Sequence, residues 1–297
     1  MEPTMDRRDA LHTLGLLSAA GLALPAGTAA AASARRGRTP PALPLGDPKF
    51  HMMTLARLQG DLSGRPLYGY SRGRVFGLTP GAGLPIADYG RILYDYEGAS
   101  VSRSRLLPNG DVETVSRSFL FYTDPETGSY LSEWRNPITG RLVPVPPFRG
   151  GISGSTLTPD GPKVSANFTM ESTVFGRPPK LDFLTLGDTT IVSRTAFTRW
   201  TPRGATQART EFTQDDWVVR TADLLDGRLT AIPAANAWTS QTEWQTWLDM
   251  PPGTPGAQLW RSNGMKTPRL DDLPPAFLAE VARKHPGILT DPLEFPA

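Results

Sequence analysis

The chain has no cysteine, only three histidines and almost no charge imbalance. Without cysteine there is no disulfide framework, no thiolate metal site and no cysteine nucleophile. Three histidines, one of them near the N-terminus, are too few for a histidine-based metal centre. The 31 Lys+Arg against 29 Asp+Glu give a net charge of +2, and no electrostatic reason to expect nucleic acid as a partner. Several motifs are missing as well. There is no Walker loop and no G-x-G-x-x-G opening a helix. There is no G-x-S-x-G elbow, because Gly151-Ile152-Ser153-Gly154 lacks the spacing. The sequence therefore points to no metal and no cofactor. A Ser-His-Asp triad could use only His51 or His285, both of which read as surface or cap residues at helix segments.

What is abundant is proline and glycine, 30 and 29 of 297 residues, as suits a turn-rich β protein.

Residues 1–32 read as an export leader. Arg7-Arg8 precedes a mild apolar stretch from Leu11 to Leu24, followed by Pro25 and the cleavable run Ala29-Ala30-Ala31-Ala32. Paired arginines before a weak apolar region favour the twin-arginine route. The translocation machinery of that route is thus an expected partner, and the expected location is periplasmic or secreted. The apolar part is too short and too rich in Gly and Ala for a stable membrane anchor. That route carries folded proteins, so folding in a reducing cytoplasm fits the lack of cysteine. Residues 33–46 read as a disordered linker rich in Arg, Gly and Pro.

Residues 47–297 read as a single β-rich domain. A helix is predicted at Pro48 to Gln59, with Asp47 as cap, Pro48 in the first turn and Gly60 as terminator. Phe50, Met53 and Leu58 would form its apolar side. From Leu67 to about Met265 short β-branched and aromatic runs alternate with turn signals. Pro108-Asn109-Gly110-Asp111 is a hairpin signal. Asp124-Pro125-Glu126-Thr127-Gly128 and Asn136-Pro137-Ile138-Thr139-Gly140 are two turns of one design. The expected fold is all-β, a mainly antiparallel, barrel-like meander of lipocalin-like size with short flanking helices. The second helix is predicted over Leu273 to His285, stopped by Pro286-Gly287.

Two segments carry the candidate site. In Tyr94 to Arg105, strand alternation puts Val101, Arg103 and Arg105 on one face and Ser100, Ser102 and Ser104 on the other. A charge on the inner face of a barrel needs a partner, so Glu97 and Arg103 are candidates for pairing or ligand contact, unless the strand simply faces solvent. In Trp238 to Met250, three tryptophans fall within ten residues, and Trp238, Ser240, Thr242 and Trp244 share a face. Aromatic walls with a few polar groups fit a small-molecule pocket, and they fit a barrel core equally well. The candidate ligand-binding residues are Arg103, Trp238, Ser240, Trp244 and Trp247. The candidate catalytic residues are Glu97, Tyr122 and Glu243.

These segments resemble the bacterial family known as domain of unknown function 1838. The resemblance is carried by Gly64-Arg65-Pro66-Leu67-Tyr68, Tyr96-Glu97-Gly98-Ala99-Ser100-Val101-Ser102-Arg103 and Phe121-Tyr122-Thr123-Asp124-Pro125-Glu126-Thr127-Gly128. It continues through Leu131 to Gly140, Trp238-Thr239-Ser240, Trp244 to Leu248 and Leu273-Pro274-Pro275, spanning roughly Leu55 to Pro292. The resemblance implies export by a twin-arginine leader and supplies no reaction. Where the family often has a histidine before Phe148, this chain has Pro147, which weakens a catalytic role for that loop.

Three readings stay open at this stage. One is a barrel that binds a small, partly apolar ligand. The second is a cofactor-free isomerase, cyclase or hydrolase, with Glu97 or Glu243 as base, Tyr122 as acid and Arg103 holding an anion. The third is an envelope interaction protein with a filled core.

Overall fold

The computed structural model describes residues 42–80, 90–146, 148–149, 152–164, 170–173, 180–202 and 209–295. The leader, most of the linker and Pro147 lie outside the described residues.

The first helix, α1 (Pro48–Gln59), forms where its caps require. Asp47 Oδ1 accepts from the Lys49 backbone N–H at 2.9 Å, and the N–H of Gly60 closes the last turn onto the Ala56 carbonyl. The strands follow: β1 (Leu67–Leu78), β2 (Gly90–Leu106), β3 (Val112–Thr123), β4 (Glu133–Arg135), β5 (Leu142–Pro144), β6 (Phe148–Arg149) and β7 (Ser153–Thr158). After them come β8 (Gly161–Val164), β9 (Met170–Thr173), β10 (Asp182–Leu186), β11 (Thr189–Pro202) and β12 (Arg209–Arg220). The short helix α2 (Thr221–Leu225) precedes β13 (Ala235–Thr242) and β14 (Ala257–Thr267), and the chain turns helical again in α3 (Pro275–Lys284).

The fold is a large antiparallel meander with few short helices. The sheet order is β10-β11-β12-β13-β14-β1-β2-β3-β7-β8, with β6 on β3 and β9 on β11. Short turns join β2 to β3, β7 to β8 and β10 to β11, whereas longer connections precede β13 and β14. The twin turns after Asp124 and Asn136 are built alike: each side chain accepts from backbone N–H groups two and three residues on, and each ends in a glycine at positive φ, 71° at Gly128 and 73° at Gly140. The longest-range join among the described residues is β14 onto β1, which welds the two halves of the meander into one sheet.

That sheet is curled. In a flat sheet, seven strand steps at ~4.8 Å would hold β7 and β11 about 34 Å apart. Yet Val112 and Leu157 from one side and Val192, Trp217 and Val219 from the other share a single core cluster around Met52, Leu55 and Leu58 of α1. The helix therefore lies inside the curl. Among the described residues β8 and β10 do not pair, so the barrel-like sheet stays open rather than closing.

This position changes the reading of α1. It is buried at His51, Met52, Thr54, Leu55, Ala56, Arg57 and Leu58, whereas Phe50 and Met53 are only half-buried. Enclosure on most sides replaces the single apolar stripe that the sequence suggested. His51 is a core residue, not a surface one: its Nε2 is 2.8 Å from the Leu45 carbonyl and its Nδ1 accepts from the Leu181 N–H at 3.1 Å. His285 is likewise buried, stacked on Phe121 at 5.6 Å. Room for the helix end comes from small residues. A Cβ on Gly60 would stand 2.0 Å from Ser104 Oγ, and Ser102 Oγ donates to the Gln59 carbonyl at 3.2 Å. No helix among the described residues is long and apolar enough to cross a membrane.

Candidate functional site

Strand register assigns each expected residue to a face. Tyr96 pairs with Tyr122 and Glu97 with Phe121, so Tyr122 and Glu97 point to opposite sides. Ser100, Ser102 and Ser104 face inward toward α1, and Glu97, Arg103 and Arg105 face outward. Glu97 and Arg103, candidates for an inner-face pair or ligand contact, therefore lie on the opposite face from the tryptophan segment. Which set points in depends on where the helix lies, and the serines are the ones small enough to meet it.

On the outer face both charged residues are engaged. Glu97 lies 3.1 Å from Arg72 Nε and accepts from Tyr130 Oη at 3.1 Å. Burial and this carboxylate together push the Tyr70 hydroxyl up to about 12. Among the described residues Arg103 meets no carboxylate. It donates to the Gly64 and Leu293 carbonyls at 2.7 and 2.8 Å and lies over Phe295. Arg117 adds a bond to the Ile288 carbonyl at 2.8 Å. These arginines clamp the C-terminal segment to the sheet. Glu243 is exposed.

The inner face brings Tyr122, Trp238, Ser240, Trp244 and Trp247 toward one side of the curl. Much of this is dense core. Tyr94 lies 4.9 Å from Tyr122, 5.4 Å from Trp247 and 5.9 Å from Trp260, all ring centroid distances. Tyr122 Oη donates to Gln245 Oε1 at 3.1 Å, and Trp247 Nε1 donates to the same oxygen. Gln258 in turn donates to Tyr94 Oη at 2.6 Å and accepts from the Gln245 N–H at 2.8 Å. Burial raises the Tyr122 hydroxyl to about 12.

The charged centre of the inner face comes from residues the sequence reading passed over. Asp215 pairs with Trp238 and with Arg194 in the register, so all three point inward. Arg194 Nη2 and Nε meet Asp215 Oδ2 at 2.5 and 3.0 Å, and the guanidinium lies 5.9 Å from the Trp217 ring centroid. Lys266 faces inward beside Gly69, where its ammonium donates to the Leu58 carbonyl at the end of α1. Burial lowers its pKa to about 7; Asp215 counters that shift and Arg194 adds to it. Glu211, opposite Thr242, accepts from Ser240 Oγ at 2.6 Å. Burial raises its pKa, the serine opposes the rise and Asp215 adds to it. Nearby, Thr242 Oγ1 and Trp244 Nε1 are buried with no hydrogen-bond partner among the described residues.

The inner face is not sealed along its length. Ser118 on β3 shares the face of Tyr122 and is exposed, and Ser71 and Ser100 are half-buried. A separate groove of about 1200 Å³ lies on the outer face, floored by Ile191, Val218 and Met265 and walled by Asp272 to Pro274. Among the described residues no three His, Asp or Glu side chains group as a metal site would require. The signal for Arg194 and Asp215 was available. Strand alternation puts Arg194 in phase with Val192, and Asp215 in phase with Trp217.

Over residues 67–296 the chain matches the family described as "Protein of unknown function (DUF1838)". No curated protein matches it.

Proposed function

The chain belongs to the DUF1838 family, and from that premise we propose that its concave face binds a small, partly apolar molecule. One observation carries the reading: an ion pair, Arg194–Asp215, and a third ionisable group, Lys266, on the inner side of a curled sheet beside Trp217 and Trp238. A core needing only stability gains little from buried ions, which well-packed apolar residues replace without loss. Aromatic walls with a few fixed polar groups are what orient a small ligand. In this reading Trp238 supplies the wall and Arg194 with Asp215 supplies the polar contact. Ser240 and Trp244 lie farther along the same face.

The test is native mass spectrometry of the protein purified from its own producer. A bound small molecule should appear with wild type and be lost from Trp238→Ala. Ligand-free wild type, or a molecule retained equally by the variant, refutes the proposal.

A cofactor-free enzyme is the second reading, favoured by one observation. The Glu211 carboxyl is desolvated and raised in pKa within reach of Ser240. In that case Glu211 takes the acid–base role, since Glu97, Tyr122 and Glu243 do not converge.

We propose export by the twin-arginine machinery to the periplasm or beyond. Replacing Arg7 and Arg8 together by lysine should hold the folded protein inside the cell. Cell fractionation checks this, and unchanged export of the double variant would assign the general secretory route instead.

A further inference from the structure

We infer that Lys266 is a carbonyl-capture site, its amine forming an imine with a small, partly apolar aldehyde or ketone held on the concave face. This rests on the binding reading above in that the concave face must be open to a small molecule. The chain has five lysines. Lys49, Lys163, Lys180 and Lys284 are exposed, and Lys266 alone is half-buried. The register shows how it is reached. From Lys266 the inner row runs through Gly69 and Ser100 to the exposed Ser118 on β3. The next inner row runs from Gly264 through Ser71 and Gly98 to the half-buried Leu120. Glycine and serine thus floor a trench across β14, β1, β2 and β3 that leads from solvent to the amine. Larger groups bound it, the end of α1 on one side and the row of Trp238, Tyr96 and Tyr122 on the other.

The surroundings favour the neutral amine. Lys266 donates to the Leu58 carbonyl, and Asp215, the carboxylate that acts on it, is already bound to Arg194. Among the described residues the ammonium has no carboxylate of its own, and burial pulls its pKa down to about 7. Asp215 from β12 and Arg194 from β11 are the charges that act on it, while Gly69 and Ser100 beside it are neutral. About half of such an amine is a free nucleophile at pH 7, against roughly one in 3000 for an ordinary lysine. Two polar side chains overhang bare backbone next to it. A Cβ on Gly69 would stand 2.7 Å from Ser100 Oγ, and one on Gly264 2.8 Å from Asn236 Oδ1. The serine hydroxyl and the Asn236 amide can donate to an incoming carbonyl oxygen. The Nζ lone pair forms the C–N bond as the C=O π bond breaks. The oxygen then leaves as water with the two amine hydrogens, and a C=N bond remains.

Reductive trapping tests this. The purified full chain is treated at pH 7 with benzaldehyde and sodium cyanoborohydride, which reduces an imine to a stable secondary amine. Peptide mapping by mass spectrometry then separates each lysine from the α-amino terminus. Lys266 should be benzylated at least tenfold faster than Lys49, Lys163, Lys180 or Lys284. The preference should shrink at pH 10, where exposed lysines also lose their protons. The Lys266 rate should saturate with benzaldehyde concentration, as a binding step before bond formation requires, while the exposed lysines respond linearly. A lysine that only caps α1 would show neither effect. Labelling spread evenly over the five lysines, or a Lys266 rate linear in benzaldehyde, overturns the inference and leaves the Trp238-dependent ligand to its own test. Fast, saturable labelling of Lys266 without any Trp238-dependent ligand upholds the reactive lysine and removes Trp238 as the wall of its site.

Discussion

Phe277→Ala is expected to lower the stability of the folded domain by about 3–5 kcal/mol, the range for emptying a fully buried phenylalanine site. Phe277 is 0 % exposed and is the centre of a cluster holding Ala99, Val101, Val115, Phe119, Phe121, Leu273 and Val281. Its ring meets Tyr70, Phe119 and Phe121 at 5.2, 5.9 and 5.8 Å. Those partners lie on β1 and β3, either side of β2, so removal of one ring loosens α3 from both strands at once. The surrounding rings belong to strands fixed in the sheet and cannot collapse into the cavity, which places the loss high in the range. The segment after α3 should loosen too, leaving only the arginine clamps of Arg103 and Arg117 on the Leu293 and Ile288 carbonyls. Urea unfolding read by circular dichroism measures the loss. A change under 1 kcal/mol would mean that α3 is a passive cover and not part of the cooperative unit.

The ends of α1 were legible in the sequence because capping is local chemistry: Asp47, Pro48 and Gly60 bound it using only groups within one turn. The C-terminal helix was placed to within two residues, since it starts at Pro275 and not at Leu273, with no side-chain cap. The twin turns were legible for the same reason as the ends of α1. Face assignment was half legible. Alternation along β2 correctly separated Arg103 from Ser102, but which set points inward depends on where α1 lies, and nothing local to β2 carries that. The closeness of β14 to β1 is a contact between segments nearly two hundred residues apart, so the curl and the burial of His51 could not be read from spacing. The charged centre was half legible in the same way. Alternation puts Arg194 in phase with Val192 and Asp215 in phase with Trp217, but only the pairing of β11 with β12 makes the two partners. Tryptophans drew attention to the right face of β13, whereas the carboxyl next to Ser240 is Glu211 from β12 and not Glu243 from the same segment.

Asp215→Asn should lower stability by about 2–4 kcal/mol, because the cost of a stranded buried ion exceeds the modest net worth of the pair itself. The Asp215 and Arg194 side chains are 11 % and 26 % exposed, so water can replace only part of the lost carboxylate. Stability lost in the single variant should be largely regained in Asp215→Asn with Arg194→Met, where no unpaired guanidinium remains beside Trp217. A second readout comes from Lys266. Its pKa is lowered in the folded state to about 7, so folding sheds a proton that the unfolded chain keeps. The sign follows: this lysine penalises the folded state most fully below pH 7, and the penalty lifts as pH rises from about 7 toward the unfolded value of 10.5. Asp215 opposes the lowering and Arg194 reinforces it. In Asp215→Asn the window therefore opens below pH 7, and stability should climb with pH through neutrality more steeply than in wild type. In the double variant the extra slope should shrink. Urea unfolding of the three proteins between pH 6 and 10 reads both effects. Equal stability of wild type and Asp215→Asn at neutral pH, with parallel pH profiles, would place Arg194 in solvent and remove the charged centre on which ligand binding has been argued.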